Sequence, residues 1–325
     1  MCGLNEVRYS VVVPVYNEEE VIEESYRRLK EVMDSTNEPY ELIFVNDGSH
    51  DTTLDKLRSF TATDSRVRLL SFSRNFGHQT AITAGMDHAS GDAILIIDAD
   101  LQDPPEVMLG MMEKWKAGYD VVYGKRLKRE GETVFKTFTA KVFYRLLDSL
   151  TDVDIPVDTG DFRLIDRRVC DTLKSMPERN RYVRGLISWV GFRQTAEEYV
   201  REERFAGETK YPIKKMLKLA FDGLTSFSYK PLRLSSLLGF FVMVLTALYF
   251  LFIIIRNIVL EPNLSPLYTI AGLIFLLNGI ILLMIGILGE YISRMSDESK
   301  GRPLYIIAEK EGFERNGRGR DTHGE

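Results

Sequence analysis

The chain has 325 residues, 45% of them hydrophobic and 27% charged, and a formal net charge of -5. That length allows one large domain with an appendage or two domains, and the composition excludes global disorder. An acidic balance gives no case for nucleic acid as a partner, and the two distant cysteines, Cys2 and Cys170, make neither a disulfide framework nor a thiolate zinc site.

From the N-terminus, apolar β-forming runs alternate with helical patterns. Residues 9–13 read as a strand and 18–34 as a helix, with Asn17 as N-cap and Glu20 in the capping-box position. Strands follow at 41–46, 67–72, 93–97 and 120–123. Helices intervene from about Thr52, at 79–88, and after Pro104 and Pro105. This alternation predicts an α/β fold, a mostly parallel sheet with flanking helices, in which ligands bind beyond the carboxyl ends of the strands. The polar runs PVYNE, NDGS and DADLQD fall at those ends. No strand is followed by G-x-G-x-x-G and no phosphate-binding P-loop occurs, which argues against a dehydrogenase or an ATPase.

Further on, residues 133–150 read as an amphipathic helix, and 212–230 combine lysines with apolar residues as an interfacial helix does. Residues 234–255 and 267–289 contain no charge at all. Each is long enough to cross the ~30 Å hydrocarbon layer, for which ~20 residues suffice. The short connection carries Pro262 and Pro266, so the two spans form a hairpin. Lys214, Lys215, Lys218, Lys230 and Arg233 precede it and Arg294, Lys300 and Arg302 follow it, against Arg256 alone in the turn. The excess places both flanks in the cytoplasm. The expected division is a cytoplasmic domain over 1–210, a juxtamembrane segment over 211–232, membrane helices over 233–257 and 267–291, and a cytoplasmic tail over 292–325.

The strand at 93–97 runs into Asp98, Asp100, Gln102 and Asp103. These are hard oxygen ligands of the kind Mg²⁺ or Mn²⁺ takes, and a divalent cation would relieve the repulsion between the carboxylates. Taken alone, the run reads more readily as an acidic surface turn.

The set VVVPVYNEEE, FVNDGS and IDADLQDPP, in this order and spacing, resembles the family 2 glycosyltransferases with the GT-A fold. SRNFGHQTAITAG, VDTGDFRLIDRR, RFAGETKYP and LGEYISR narrow the resemblance to the polyprenyl-phosphate branch. It implies that Pro14, Tyr16 and Glu18 line a base and ribose pocket and that Asp47 binds the nucleoside. It further implies that Asp98, Asp100 and Gln102 hold the metal and, through it, the donor diphosphate, with Arg204 and Lys210 as a second counter-charge. Arg126 and Arg129 are the candidates for a lipid phosphate acceptor, since arginine forks suit phosphate. An acidic catalytic base is implied in VDTGDFR, where Asp158 and Asp161 both remain candidates; Arg163 as partner to either is the structural alternative. His78 and His88 have no partner at ligand spacing and are given helix-face or loop roles.

The expected activity is inverting transfer of one sugar from a nucleotide sugar, UDP-glucose or UDP-N-acetylglucosamine being favoured, to undecaprenyl phosphate at the lipid bilayer. The resemblance also allows a homo-oligomer associated through the membrane helices. Two rivals are a processive polysaccharide synthase and an inactive membrane scaffold. The synthase requires Gln-x-x-Arg-Trp, which neither Trp115 nor Trp189 completes. The scaffold predicts damaged ligand positions, whereas the aspartates are all present.

Overall fold

The computed structural model describes residues 7–127, 159–179, 181–201 and 266–313, with scattered positions between 240 and 255. The chain divides into two units. One comprises Met1–Phe138, Ile155–Lys210 and Pro303–Glu325, the other Thr139–Asp154 and Tyr211–Arg302.

The first unit is built on strands β1 (Tyr9–Val15), β2 (Tyr40–Asn46), β3 (Val67–Phe72), β4 (Ala93–Ile96), β5 (Val121–Arg126), β6 (Thr159–Asp166), β7 (Gln194–Tyr199) and β8 (Ile307–Glu311). Its helices are α1 (Ile22–Ser35), α2 (Thr53–Thr63), α3 (His78–His88), α4 (Val107–Lys116), α5 (Arg167–Ser175) and α6 (Val183–Trp189). The sheet order is β7-β5-β6-β4-β1-β2-β3-β8. Strands β4, β1, β2 and β3 run parallel, with Tyr9 opposite both Tyr40 and Ala93. β6 is antiparallel to β4 and β5, and β8 is antiparallel to β3.

The central strands are apolar on both faces, as a sheet covered on both sides requires. Alternate residues of one face, among them Tyr9, Val11, Val13, Leu42, Phe44 and Leu95, form a core with Ile22, Leu29, Leu57 and Met108 of α1, α2 and α4. Helix α3 packs on the other face so closely that a Cβ at Gly85 would lie 2.1 Å from Val12 Cγ1.

Strand β1 runs on to Val15 and β5 to Arg126, past the expected 13 and 123, and two further departures have physical reasons. α1 starts at Ile22 without a side-chain cap. Asn17 stands apart with φ 53, and its Oδ1 accepts from the His50 amide at 2.9 Å, so the expected cap ties two loops together instead. The segment expected as a tail sends Ile307–Glu311 back to the sheet edge as β8. Arg58 of α2 forks onto Glu309 at 2.8 and 2.7 Å, and the Ser73 amide donates to Ile306 O at 3.0 Å.

In the second unit, helix α7 (Pro266–Ser299) has 34 residues and contains the expected span at 267–291. The span expected at 233–257 is described only in part, and the helices expected at 133–150 and 212–230 lie outside the described residues. Among the described residues, no helix is long and apolar enough to cross a membrane.

The close approach at Gly85 is testable. Gly85→Ala should lower stability by about 1–3 kcal/mol through overpacking, read as the unfolding midpoint of the full chain in detergent. Pairing it with Val12→Ala should recover part of the loss, because the two changes share one contact.

Candidate active site

Polar side chains cross-link the carboxyl ends of the first four strands. Pro14 is buried near the end of β1, beyond Val12↔Ile96, where β4 has already turned away; the missing N–H leaves no ladder bond unmade. Tyr16 emerges 37% exposed. The Asn17 amide donates to Ser49 Oγ at 3.0 Å, and the Glu18 amide to Thr53 Oγ1 at 3.0 Å, binding the first loop to the second.

The second loop is bound to the third by Asp47, which is buried. Its Oδ1 accepts from the Phe76 amide at 2.6 Å and its Oδ2 from the Gly77 amide at 3.0 Å. Burial pushes its carboxyl pKa up against the pull of those amides. The residue expected at the nucleoside thus holds the segment 73–77 in place. Glycine is required beside it: Gly48 has φ +70, and a Cβ there would lie 2.6 Å from the Arg74 carbonyl carbon.

At the end of β4 the chain turns through Leu101, buried with φ 57, a conformation that L-residues other than glycine adopt at a cost. The turn gathers the carboxylates. Asp100 Oδ1 accepts from the Gln102 amide at 3.1 Å. Asp103 is buried and receives the Tyr199 hydroxyl at 2.5 Å and Arg126 Nη2 at 3.2 Å, with Arg201 Nε at 3.5 Å. Arg126 Nε also donates to the Tyr199 hydroxyl, at 3.2 Å. Arg126 is therefore fixed by a buried carboxylate one turn beyond Asp98 and Asp100.

The third and fourth strand ends meet at His78, the first residue of α3. Its Nε2 lies 3.4 Å from Asp98 Oδ1 and 3.3 Å from Asp161 Oδ2. Asp161 Oδ2 also accepts from Gln79 Nε2 at 3.0 Å, and its Oδ1 from Arg184 Nε at 3.2 Å. Gln79 Oε1 in turn accepts from the Val183 amide at 3.0 Å, so one side chain joins Asp161 to the start of α6. Arg163 is buried and donates to Gly160 O at 2.8 Å.

The electrostatics follow from this crowding. Lost hydration pushes the Asp98 carboxyl up to about 6; His78 opposes that, while Asp161, Asp100 and Asp103 add to it. Burial pulls His78 down, but Asp98 and Asp161 outweigh it and raise the imidazole to about 9. For Asp161 burial works upward, yet Arg184, His78 and Arg163 together hold it well below the usual carboxylate range.

The carboxylates at β4 fit a hard divalent cation. Asp98 Oδ1 is buried and makes no hydrogen bond, and its ionised form is strained by like charges. Among the described residues, no three His, Cys, Asp or Glu side chains form a complete ligand group.

The structure thus brings together Asp47, Asp98, Asp100, Gln102, Arg126 and Asp161 with the ends of β1 and β2 that carry Pro14, Tyr16 and Glu18. Asp158, Arg129, Arg204 and Lys210 lie outside the described residues. Sequence reasoning named Asp103 with the β4 carboxylates but missed His78, Gln79, Arg184 and Tyr199. The one available signal was position, since NFGHQ follows β3 where the other polar runs follow their strands.

Residues 10–174 match the model of glycosyl transferase family 2. The chain belongs to that family. Residues 230–295 match a second model, the GtrB C-terminal hairpin. This family 2 chain is 57% identical over 317 residues to "Uncharacterized glycosyltransferase YkcC" of Bacillus subtilis (strain 168), covering 98% of each. It is 43% identical over 301 residues to the bactoprenol glucosyl transferase of Shigella phage SfV, covering 93% of this chain and 98% of the other. Among solved structures, glucosyl-3-phosphoglycerate synthase from Mycobacterium tuberculosis in complex with uridine diphosphate is 21% identical. That likeness covers 68% of this chain and 79% of that one, with a TM-score of 0.47. At that degree it carries no argument about ligand or mechanism.

Replacing Asp161 by Asn should leave Arg184, Arg163 and His78 short of a counter-charge and cost about 3–5 kcal/mol. Because the folded carboxyl titrates below its usual 3.8, the stabilisation is fully present above about pH 4 and is lost as acid protonates it. Thermal unfolding midpoints of wild type and Asp161→Asn should therefore differ most at neutral pH and converge in strong acid.

Proposed function

We propose that the chain is a metal-dependent inverting glycosyltransferase moving one sugar from a nucleotide sugar, with UDP-glucose and UDP-N-acetylglucosamine favoured, to undecaprenyl phosphate at the cytoplasmic face of a membrane. The observation that carries the reading is the pair Asp98 and Asp100 at the end of β4 in a family 2 domain, one of its buried oxygens lacking a hydrogen-bond partner. The polyprenyl acceptor is supported by relatives named bactoprenol glucosyl transferase at 42–43% identity.

Asp98 and Asp100, with Gln102, would hold Mg²⁺ or Mn²⁺. Bound there, the cation supplies charge stabilisation for the departing diphosphate. The remaining work falls to the chain's own residues. An oxygen of the lipid phosphate forms the new bond at the anomeric carbon as the bond to the nucleoside diphosphate breaks, so configuration inverts in one displacement. A phosphate monoester is mostly ionised at neutral pH, so its activation needs orientation more than proton removal. Asp161, held ionised by Arg184 and His78, suits an orienting role; Asp158 is the other candidate for the base. Arg126, fixed by Asp103 and Tyr199, is assigned with Arg129 to the acceptor phosphate. Arg204 and Lys210 are assigned to the donor diphosphate, and Pro14, Tyr16, Glu18 and Asp47 to the rim of the nucleoside pocket.

Membrane attachment is supported by the match to the hairpin family and by apolar side chains left exposed outside the sheet unit, among them Phe241, Leu245, Phe252, Leu282 and Ile285. Apolar surface of that extent calls for a non-aqueous neighbour.

The test uses the purified full chain in detergent with undecaprenyl phosphate, Mg²⁺ or Mn²⁺, and a panel of UDP- and GDP-sugars. A single phosphate-linked glycolipid should form. Asp98→Asn and Asp100→Asn should each lower kcat by about 100-fold or more, as loss of one charge-stabilising contact does. Full turnover in EDTA would remove the metal role, and absence of product with every donor would remove the acceptor. Recovery of the protein in the soluble fraction after carbonate washing would remove the hairpin.

A further inference from the structure

Helix α3 and the segment leading into it carry much of the site: Phe76 and Gly77 are bound by Asp47, and His78 reaches Asp98 and Asp161. The far side of that segment is covered by residues that follow the hairpin and lie beyond both matched family regions, 10–174 and 230–295.

The Tyr305 ring stacks on Phe72, with centroids 5.2 Å apart and planes 18° apart, and Phe72 meets Phe76 edge-on at 5.6 Å. The Tyr305 hydroxyl donates to Asp87 Oδ2 at 2.9 Å, near the last turn of α3. His88 ends that helix against the rings of Tyr305 and Phe313, at 6.4 and 5.7 Å. Next to Tyr305, Ile306 O receives the Ser73 amide, and the β3–β8 register shifts between Ser71 and Phe72 where the segment departs. One residue thus touches the start of the 72–77 segment through its ring and the end of α3 through its hydroxyl.

We infer that Tyr305 is a positioning residue of the active site: by bracing Phe72 and Asp87 it fixes the Phe72–Phe76–Gly77 path and so the place of His78. Packed aromatic contacts transmit displacement because interiors are dense, and a ring removed at Phe72 leaves Phe76 free to follow. The returning strand then does more than end the chain. It makes the geometry of the sheet unit's catalytic edge depend on residues supplied after the hairpin.

The inference rests on the proposed transfer only for its kinetic arm. The full chain in detergent is compared with Tyr305→Phe, Tyr305→Ala and Arg58→Ala, the last releasing β8 from α2 at Glu309 without touching the aromatic path. Amide hydrogen exchange at Phe76 and Gly77 should rise about tenfold in Tyr305→Ala, rise by a smaller factor in Tyr305→Phe, which keeps the ring on Phe72 and loses only the Asp87 bond, and stay near wild type in Arg58→Ala. In transfer assays Tyr305→Ala should lose about tenfold in kcat with little change in KM for the nucleotide sugar, and Tyr305→Phe should recover most of it. Unchanged exchange in Tyr305→Ala would overturn the inference, as would an equal rise in Arg58→Ala, which would mark strand stability rather than positioning. Should Tyr305→Ala not fold, Tyr305→Leu carries the same comparison. Exchange needs no turnover, so a wild type inactive with every sugar would sink the proposed function and leave this inference still decided.

Discussion

At the carboxyl end of β4, like charges are forced together where water can screen them only in part. Asp98, Asp100, Asp103 and Asp161 converge there, and lost hydration, with the neighbouring carboxylates adding to it, pushes Asp98 up to about 6. The surroundings answer that repulsion in two ways. Asp103 and Asp161 are each tied to cations, Asp103 to Arg126 and Asp161 to Arg184 and His78. Asp98 keeps a buried oxygen without a hydrogen bond. That oxygen faces His78 Nε2 at 3.4 Å, and Asp100 accepts from the Gln102 amide, so the inner carboxylates are held by lighter contacts than the outer two.

The sheet makes this arrangement available. Parallel β1, β2, β3 and β4 send four loops out at one edge, and each loop is locked to the next by a side chain rather than by ladder hydrogen bonds. Asn17 joins the first to the second, Asp47 the second to the third, and His78 the third to the fourth. Antiparallel β6 then enters beside β4 and brings Asp161 and Arg163 from a distant part of the chain. Loops held this way keep their geometry without burying regular backbone, which leaves their outer surface for a ligand.

The sequence showed the central strands because their apolar runs are buried on both faces, and 67–72 was read to the residue. It showed the β4 carboxylates because the contrast with the preceding strand is local. β6 escaped notice for the reason that makes it useful: TGDFRLID interrupts its apolar pattern with the charges that complete the site. β7 and β8 sit at the two edges of the sheet, where one side of the strand is open and alternation weakens. His78 was invisible because its contacts depend on segment 73–77 lying against Gly48, a long-range approach that no spacing rule encodes. The early start given to α1 failed similarly, since Asn17 had a partner 33 residues away.

The return of the chain as β8 changes how the charges around the hairpin are weighed. Basic residues on both flanks argue for one side of a bilayer by a statistical tendency, against which Arg256 counts in the opposite sense. A strand hydrogen-bonded to β3 is an observation of another kind, because it ties residues that follow the hairpin family's match to the same sheet as residues that precede it. The same closure accounts for the character of β8, with Arg58 forked onto Glu309 and Phe72 stacked on Tyr305. A five-residue edge strand is weak on its own ladder bonds and needs such side-chain anchors to stay on the sheet.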